Sequence, residues 1–262
     1  MGILNVTPDS FSDGGRFLDP AAAVAHARRL IAEGADILDV GGESTRPGAA
    51  PVSEADEIAR TAPVIAAIRA ESAISISVDT TKPGVALAAA ALGAGMWNDV
   101  SALTASPDSL AVAAELGCEV VLMHKLGEPA TMQAAPRYDD VVAEVSAYLQ
   151  ARAEAALAAG VAPGKIWLDP GIGFGKTAAH SLALLRRLDR IVALGFPVLL
   201  GASRKSSIRA IAGDRSDAGG RLGGSIAAAL AGARAGVAGL RVHDVAETIQ
   251  ALAVAEAISP PP

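Results

Sequence analysis

Short runs of β-branched and aliphatic residues alternate with longer alanine-rich stretches along the whole chain of 262 residues. The short runs are typical of buried strands, and the alanine-rich stretches are typical of packed helices. Eight such pairs can be counted, which predicts eight βα units around a parallel sheet. The predicted strands are residues 2–6, 37–42, 74–80, 96–100, 119–124, 165–170, 197–203 and 239–245.

The number of units favours one fold class. Eight βα units in a chain of this length match an α/β protein of the (β/α)8 type, the TIM barrel, folded as a single domain over residues 1–262. A doubly wound sheet is the alternative, but it usually has fewer strands and a glycine-rich first turn. We therefore predict the barrel, with a frayed tail at residues 259–262.

Every predicted strand has a polar residue at or just past its carboxyl end. A single Asp or Asn often does no more than terminate a strand. In a barrel, however, the carboxyl ends of all strands converge on the face that carries the active site. The pattern therefore predicts one polar site formed by Asn5, Asp39, Asp79, Asn98, Asp99, His124, Asp169, Ser203, Arg241 and His243.

Composition narrows the class of partner. Half of the chain is hydrophobic (51%), the formal charge is -6, and the Lys and Arg residues are scattered rather than clustered. This leaves no electrostatic footprint for nucleic acid or an anionic membrane, so we expect a small-molecule partner. The longest alanine-rich stretches are interrupted by glycines and by Arg234. They indicate packed helices rather than membrane spans.

Cysteine usage indicates a compartment. Cys118 is the single cysteine, so neither an intrachain disulfide nor a cysteine metal cluster can form. No secretory signal precedes the first predicted strand. We expect a protein of the reducing cytoplasm.

Two glycine-rich segments, at residues 40–51 and 169–181, follow predicted strands, and residues 201–210 run from a predicted strand into a helix. Glycine permits close backbone approach to a ligand. The cationic or titratable residues near these strand ends suit a phosphate or pyrophosphate, and they are Arg46, Lys205, Arg241 and His243. The acceptors suit a planar heterocycle with an amidine-like donor edge, and they are Asp39, Asp79, Asn98 and Asp169. For each carboxylate, a salt bridge at the barrel rim is the alternative.

Eight blocks in order across the chain resemble the dihydropteroate synthase family. They are "NVTPDSFSDGG", "DVGGESTRPG", "SVDT", "NDV", "LMHKLGEPATMQ", "LDPGIGFGKT", "GASRKS" and "RVHDV". The resemblance implies a transferase of folate biosynthesis that condenses dihydropterin pyrophosphate with 4-aminobenzoate, with Mg²⁺ as cofactor. A non-catalytic pterin-binding paralogue and a methyltetrahydrofolate-type methyltransferase are the alternatives.

The resemblance also implies a role for individual residues. Those implied to bind the pterin are Asp79, Asn98, Met123, Asp169 and Lys205, with Asp79, Asp169 and Lys205 catalytic. Those implied to bind the diphosphate are Asn5, Thr45, Arg241 and His243, with Asn5 also a metal ligand. Those implied to enclose the aminobenzoate are Phe11, Arg46, Pro47, Phe174, Lys205 and Ser206.

Family members are commonly dimeric, so the resemblance implies a homodimer. The alanine- and glycine-rich stretch at 223–236 could pack closely on a second copy, although an ordinary barrel helix would look the same.

Three features depart from the family pattern. Lys125 and Leu126 replace the usual Met and polar pair, Ser181 stands where Asn is typical, and the chain starts at the first barrel strand without the family's short lead.

Overall fold

The computed structural model describes residues 1–7, 20–44, 50–127, 132, 135–213 and 219–258. Within these ranges, every strand is followed by one or two α-helices. The strands are β1 (Gly2–Asn5), β2 (Ile37–Gly41), β3 (Ser75–Asp79), β4 (Met96–Asp99), β5 (Glu119–Met123), β6 (Ile166–Asp169), β7 (Leu199–Leu200) and β8 (Gly239–Leu240).

The helices follow the strands in the order that βα units require. They are α1 (Pro20–Ala32), α2 (Glu54–Glu71), α3 (Pro83–Ala91), α4 (Ser109–Leu116), α5 (Val141–Ala158), α6 (Ala178–Arg186), α7 (Leu188–Val192), α8 (Ser206–Ala212), α9 (Leu222–Ala235) and α10 (Val245–Ile258). Single 3-10 turns, Pro163–Lys165 and Gly219–Arg221, precede β6 and α9.

The strands close into a barrel, which confirms the predicted fold class. β1 to β6 pair in parallel in sequence order, and β7 pairs with β8. Parallel bridges then join Leu168 to Val198 and Gly2 to Val242, so β7 meets β6 and β8 meets β1. At the second junction, the Ile3 amide donates to the Val242 carbonyl at 3.0 Å.

All eight predicted strands are present, but the last two are shorter than predicted. The prediction placed them at 197–203 and 239–245, whereas their paired ladder covers only two residues each. Ser203, Arg241 and His243, which the prediction included in these strands, lie beyond the paired ladder, and their side chains bond to one another or to residues of other strands. Ser203 and His243, for example, share a hydrogen bond of 3.0 Å.

Two apolar layers hold the barrel together. The larger one lies between strands and helices, where small side chains such as Ala27 and Ala153 allow the helices to pack closely on the sheet. The smaller one fills the barrel interior with Met96, Val121 and Leu199. Because side chains alternate along a strand, the residues two positions further along face the same interior at its carboxyl end. That alternation places polar residues above an apolar floor.

Side-chain caps mark the starts of α2 and α5. Ser53 precedes α2 and its hydroxyl accepts from the Asp56 amide at 3.1 Å. Asp140 precedes α5 and its carboxylate accepts from the amides of Val142 and Ala143. None of the described helices combines the length and the apolar character that a membrane span needs.

Candidate active site

A guanidinium shared by two buried carboxylates forms the centre of the site. Arg241, just past β8, donates from Nε to Asp39 Oδ2 at 2.6 Å and from Nη2 to Asp79 Oδ2 at 2.7 Å. Asn98 Nδ2 donates to the same oxygen of Asp39 at 3.0 Å. Residues from β2, β3, β4 and β8 are thereby joined in one network, as the convergence of strand ends predicts.

The charges in this network do not balance, because one cation faces two carboxylates. Burial raises the pKa of Asp79 to about 7; the positive charge of Arg241 opposes this shift and the negative charge of Asp39 adds to it. Burial alone would lower the pKa of Arg241, but the two carboxylates outweigh it and raise the value. Arg241 therefore stays charged, whereas Asp79 can gain or lose a proton near neutral pH.

Asp39 is sealed beneath the site, while Asp79 reaches it. Asp39 has no exposed surface, and the side chain of Asp79 is 11% exposed. Among the described residues, neither Asp39 Oδ1 nor the hydroxyl of Ser77, its register partner on β3, has a hydrogen-bond partner. Asp39 thus positions Arg241 and Asn98 from below, a role that the resemblance did not assign to it.

A second group lies at the ends of β6 and β7. Lys205 Nζ lies 4.0 Å from the centre of the Phe174 ring. Burial lowers the pKa of Lys205 to about 8, Arg241 adds to this shift, and Asp169 and Asp79 oppose it. Lys205 is therefore mostly protonated at neutral pH and loses its charge above about pH 8.

Asp169 connects this group to the central network. It is buried, and its Oδ1 accepts from the Gly171 amide at 2.7 Å. A Cβ placed on Gly201 would lie 3.6 Å from Asp169 Oδ2 and 3.9 Å from Arg241 Cδ, so the glycine leaves room between the two side chains. Burial raises the pKa of Asp169. Met123, its register partner on β5, is also buried and forms part of the wall.

Asn5 and His243 border the network on the side of β1 and β8. A Cβ on Gly41 would lie 3.6 Å from Asp79 Oδ2 and 3.8 Å from Asn5 Oδ1, so both oxygens face the space above this glycine. Burial lowers the pKa of His243 to about 3, and Arg204 and Arg241 add to the shift. His243, the titratable group of the predicted cluster, is therefore a neutral hydrogen-bonding group at neutral pH.

Two residues of the polar site predicted from the strand ends, Asp99 and His124, bond to groups outside the central network. Asp99 accepts from the Ser101 amide and hydroxyl, both at 2.6 Å, and from the Leu103 amide at 2.9 Å. It therefore folds the turn after β4. His124 is bonded through Nδ1 to Lys176 Nζ at 2.8 Å. Sequence reasoning missed Lys176, although a lysine directly after the "GFG" turn was the signal available.

Ser181, where the family pattern has Asn, is buried. Its hydroxyl donates to the Thr177 carbonyl at 2.9 Å and so stabilises the first turn of α6. Ser206, implied to meet the aminobenzoate, is exposed at the start of α8. Four implied site residues lie outside the described ranges, and they are Phe11, Thr45, Arg46 and Pro47.

Comparison with known proteins identifies the family. The model of the pterin-binding enzyme family matches residues 1–243. Dihydropteroate synthase of Escherichia coli (strain K12) is 49% identical over 257 residues, covering 98% of this chain and 90% of the relative.

Solved structures of dihydropteroate synthases have the same fold as this chain. Xanthomonas albilineans dihydropteroate synthase with 4-aminobenzoic acid superposes with a TM-score of 0.93 at 51% identity, covering all of this chain and 93% of that one. The same enzyme in complex with 7,8-dihydropteroate gives a TM-score of 0.90 at 49% identity, with 100% and 93% covered. The chain therefore belongs to the pterin-binding enzyme family and, within it, to the dihydropteroate synthases.

Proposed function

We propose that this chain joins a 7,8-dihydropterin carrying a 6-hydroxymethyl diphosphate to 4-aminobenzoate, releasing 7,8-dihydropteroate and pyrophosphate. The observation that carries the proposal is the shared guanidinium of Arg241. The guanidinium can hold the anionic leaving group. The carboxylates on either side of it supply negative charge beside a ring that becomes cationic. The names of the relatives and the dihydropteroate bound to the Xanthomonas enzyme agree with this reaction.

The pterin binds among the buried acceptors. Asp169 and Asp79 accept from N–H groups of the ring, Asn98 offers both an amide donor and an acceptor, and Met123 packs against a ring face. Lys205 donates to the ring carbonyl and also borders the aminobenzoate. These roles suit the chemistry of each side chain, and burial strengthens each polar contact by lowering the local dielectric constant.

The diphosphate binds above Arg241. Its guanidinium has N–H groups beyond those given to Asp39 and Asp79 and can donate to phosphate oxygens. Neutral His243 donates one more hydrogen bond and Asn5 borders the subsite, to which the resemblance adds Thr45, outside the described residues. The bond between the methylene carbon and the diphosphate oxygen breaks, and its electron pair leaves with the diphosphate.

Positive charge then develops on the pterin beside Asp79. The ring nitrogens can delocalise this charge, and an ionised Asp79 stabilises it electrostatically without rearranging. The amine of 4-aminobenzoate attacks the methylene carbon and afterwards loses a proton. Phe174 and Ser206 border the aminobenzoate beside Lys205, and the resemblance adds Phe11, Arg46 and Pro47, which lie outside the described residues.

The residues present fit a magnesium ion bound mainly through substrate. Among the described residues, no group of three or more His, Cys, Asp or Glu could hold a metal. Asn5 Oδ1 nevertheless faces the space beside Asp79, and amide oxygen is a suitable Mg²⁺ ligand. Mg²⁺ commonly keeps several waters and binds substrate phosphates, so one protein ligand is enough. When bound, it would neutralise charge on the departing diphosphate.

The pH profile tests this assignment of roles. We expect kcat/KM for the dihydropterin diphosphate to be bell-shaped, because Asp79, with a pKa of about 7, must be ionised and Lys205, with a pKa of about 8, must be protonated. Activity should fall below the first value and above the second. In Lys205→Arg the alkaline limb should vanish while the acid limb stays, since arginine does not deprotonate. An unchanged alkaline limb in that variant would remove Lys205 from the site.

We also propose a homodimer that forms through the outer face of α9. The inward glycines of this helix serve the chain itself, since a Cβ on Gly232 would lie 2.6 Å from Leu200 Cδ2. The outward positions Gly223, Ala227 and Ala231 recur every four residues and are exposed. Ala227 and Ala231 also line an apolar cavity of about 370 Å³ beside Ile211, which is 57% exposed. A second copy would cover this apolar surface.

Ala231→Glu tests the dimer. A carboxylate placed on this apolar face would be desolvated on association, so we expect the variant to be monomeric by light scattering at micromolar concentration. Ala253→Glu, an exposed alanine on α10, is the matched control and should remain dimeric. A wild-type protein that is monomeric under the same conditions refutes the dimer.

We assign the protein to the cytoplasm. Cys118 is a free, half-buried thiol, and burial raises its pKa, so the thiol is protonated and unreactive at neutral pH. A free, protonated thiol is typical of the reducing cytoplasm. Fractionation of cells that express the tagged protein would test this assignment.

A further inference from the structure

Lys176 is a buried lysine in the loop between β6 and α6, and none of the roles above uses it. It is only 3% exposed. Its Nζ donates to His124 Nδ1 at 2.8 Å, to the His124 carbonyl at 3.2 Å and to the Phe174 carbonyl at 3.0 Å. An ammonium has three N–H donors, so every donor has a partner. Three satisfied hydrogen bonds are what a buried charge requires.

His124 accepts two of these bonds, one at Nδ1 of a neutral imidazole ring and one at its backbone carbonyl. Burial lowers its pKa to about 3, and the charge of Lys176 adds to the shift. Burial also lowers the pKa of Lys176 to about 7, although Asp169 opposes this. With a neutral imidazole, Nδ1 accepts from the ammonium and the ring proton lies on Nε2. Below about pH 7, where Lys176 is protonated, the charged lysine and the neutral histidine are therefore complementary.

The loop between β6 and α6 is pinned to His124 at both ends. At its start, the His124 amide donates to the Asp169 carbonyl at 3.0 Å; at its end, Lys176 bonds the same residue. Gly171 and Gly175 have φ of +65° and +62°, and a Cβ at either position would collide with the carbonyl oxygen of His124 or Leu126. The loop therefore lies directly on the end of β5.

This pinned loop carries two groups of the site. The Asp169 carboxylate is held by the Gly171 amide, and the Phe174 ring lies below Lys205 Nζ. Lys176 fixes the carbonyl of Phe174, and thus the backbone from which that ring projects. A contact between a cation and a ring face depends on their mutual position.

We propose that Lys176 is a positioning residue for aminobenzoate capture: by fixing the Phe174 carbonyl, it holds the Phe174 ring against Lys205. The inference rests on the proposed function, in which Phe174 and Lys205 border the aminobenzoate. Lys176 touches neither substrate. Its effect reaches the reaction only through the loop and the ring that the loop carries.

Lys176→Met tests the proposal, because methionine keeps most of the volume and removes all three hydrogen bonds. We expect kcat/KM for aminobenzoate to fall about tenfold or more, as small misplacements of positioning groups do. The dissociation constant of a phosphate-free pterin should change by less than about threefold, since the Asp79 and Asn98 contacts are untouched and the Gly171 amide still holds the Asp169 carboxylate. Lys165→Met, an exposed lysine just before β6, is the matched control and should behave as wild type. Equal losses for both ligands would overturn the proposal.

A double-mutant cycle with Phe174→Leu separates positioning from general destabilisation. If Lys176 acts through the Phe174 ring, then Lys176→Met should add little to the aminobenzoate defect of Phe174→Leu. Fully additive losses would overturn the proposal. Failure of the proposed function looks different, because the wild-type protein would then form no dihydropteroate, and this inference would fall with it.

Tyr138→Phe gives a second test if Lys176→Met does not fold. The Tyr138 hydroxyl donates to the Gly175 carbonyl at 2.9 Å, so it anchors the same loop from a half-buried position. We expect the KM for aminobenzoate to rise about threefold, in keeping with the loss of one hydrogen bond, while pterin binding is unchanged. An unaltered KM for aminobenzoate would overturn the proposal.

Discussion

Asp79→Asn is expected to slow the single-turnover reaction at saturating substrate by on the order of 10² to 10³, or about 2.7 to 4 kcal/mol. Asparagine keeps the shape of the side chain and an oxygen that can accept from Arg241. It removes the negative charge at the position where positive charge develops on the pterin. Because this interaction strengthens in the transition state, pterin affinity should fall far less than the rate.

Asp39→Asn is the comparison variant. Asp39 and Asp79 both bond to Arg241, but only Asp79 is expected to stabilise positive charge on the pterin. Both variants remove one carboxylate from the guanidinium, but Asp39 is sealed from the cavity whereas Asp79 reaches it. We therefore expect a smaller loss in the chemical step for Asp39→Asn. If Asp79→Asn instead weakens pterin binding and leaves the saturated rate near normal, then Asp79 only positions the ring. Asp169 would then be the next candidate for stabilising the charge.

Arg241→Ala is expected to weaken binding of the diphosphate-bearing pterin by about 1.5 to 3 kcal/mol, the range of a charge-assisted hydrogen bond. A pterin without phosphate should lose much less. The loss of the guanidinium also leaves Asp39 and Asp79 without their cation, and Arg241 is the group that holds down the pKa of Asp79. In the variant, the pKa of Asp79 should therefore rise above about 7.

Calorimetry with the diphosphate-bearing and the phosphate-free pterin, each at two pH values, separates the lost phosphate contact from the shifted pKa of Asp79. At a pH well above 7, where Asp79 is ionised in the wild-type protein, any change in phosphate-free pterin binding reports the shifted proton. The additional loss for the diphosphate reports the missing contact. Arg190→Ala, which removes an arginine with 63% of its side chain exposed, is the control. Equal losses for the two ligands at both pH values would move Arg241 out of the anion site.

The sequence predicted the barrel and the face that carries the site because both depend on local patterns. Short apolar runs mark the strands, and a polar residue after each run marks the carboxyl end. Parallel pairing in sequence order then brings Asp79 beside Asn98 and Met123 beside Asp169. These neighbours follow from topology alone, so they could be predicted without coordinates.

The partners of each polar group could not be predicted in the same way. Arg241 meets Asp39 across 202 residues of sequence and Asp79 across 162. Which acceptor it chooses depends on side-chain length and orientation inside the closed barrel. The same limit concealed Lys176, since a lysine after a glycine-rich turn usually points to solvent. Its burial is explained by the three acceptors around it, which are the His124 imidazole and two backbone carbonyls.

Product formation tests most directly whether this site performs the condensation. Purified protein would be mixed with dihydropterin diphosphate, 4-aminobenzoate and Mg²⁺, and the products followed by chromatography. We predict that 7,8-dihydropteroate and pyrophosphate appear in equal amounts, and that omission of either substrate abolishes dihydropteroate. A protein that binds the dihydropterin diphosphate but forms no dihydropteroate would contradict this, and would be a pterin-binding protein without catalytic activity.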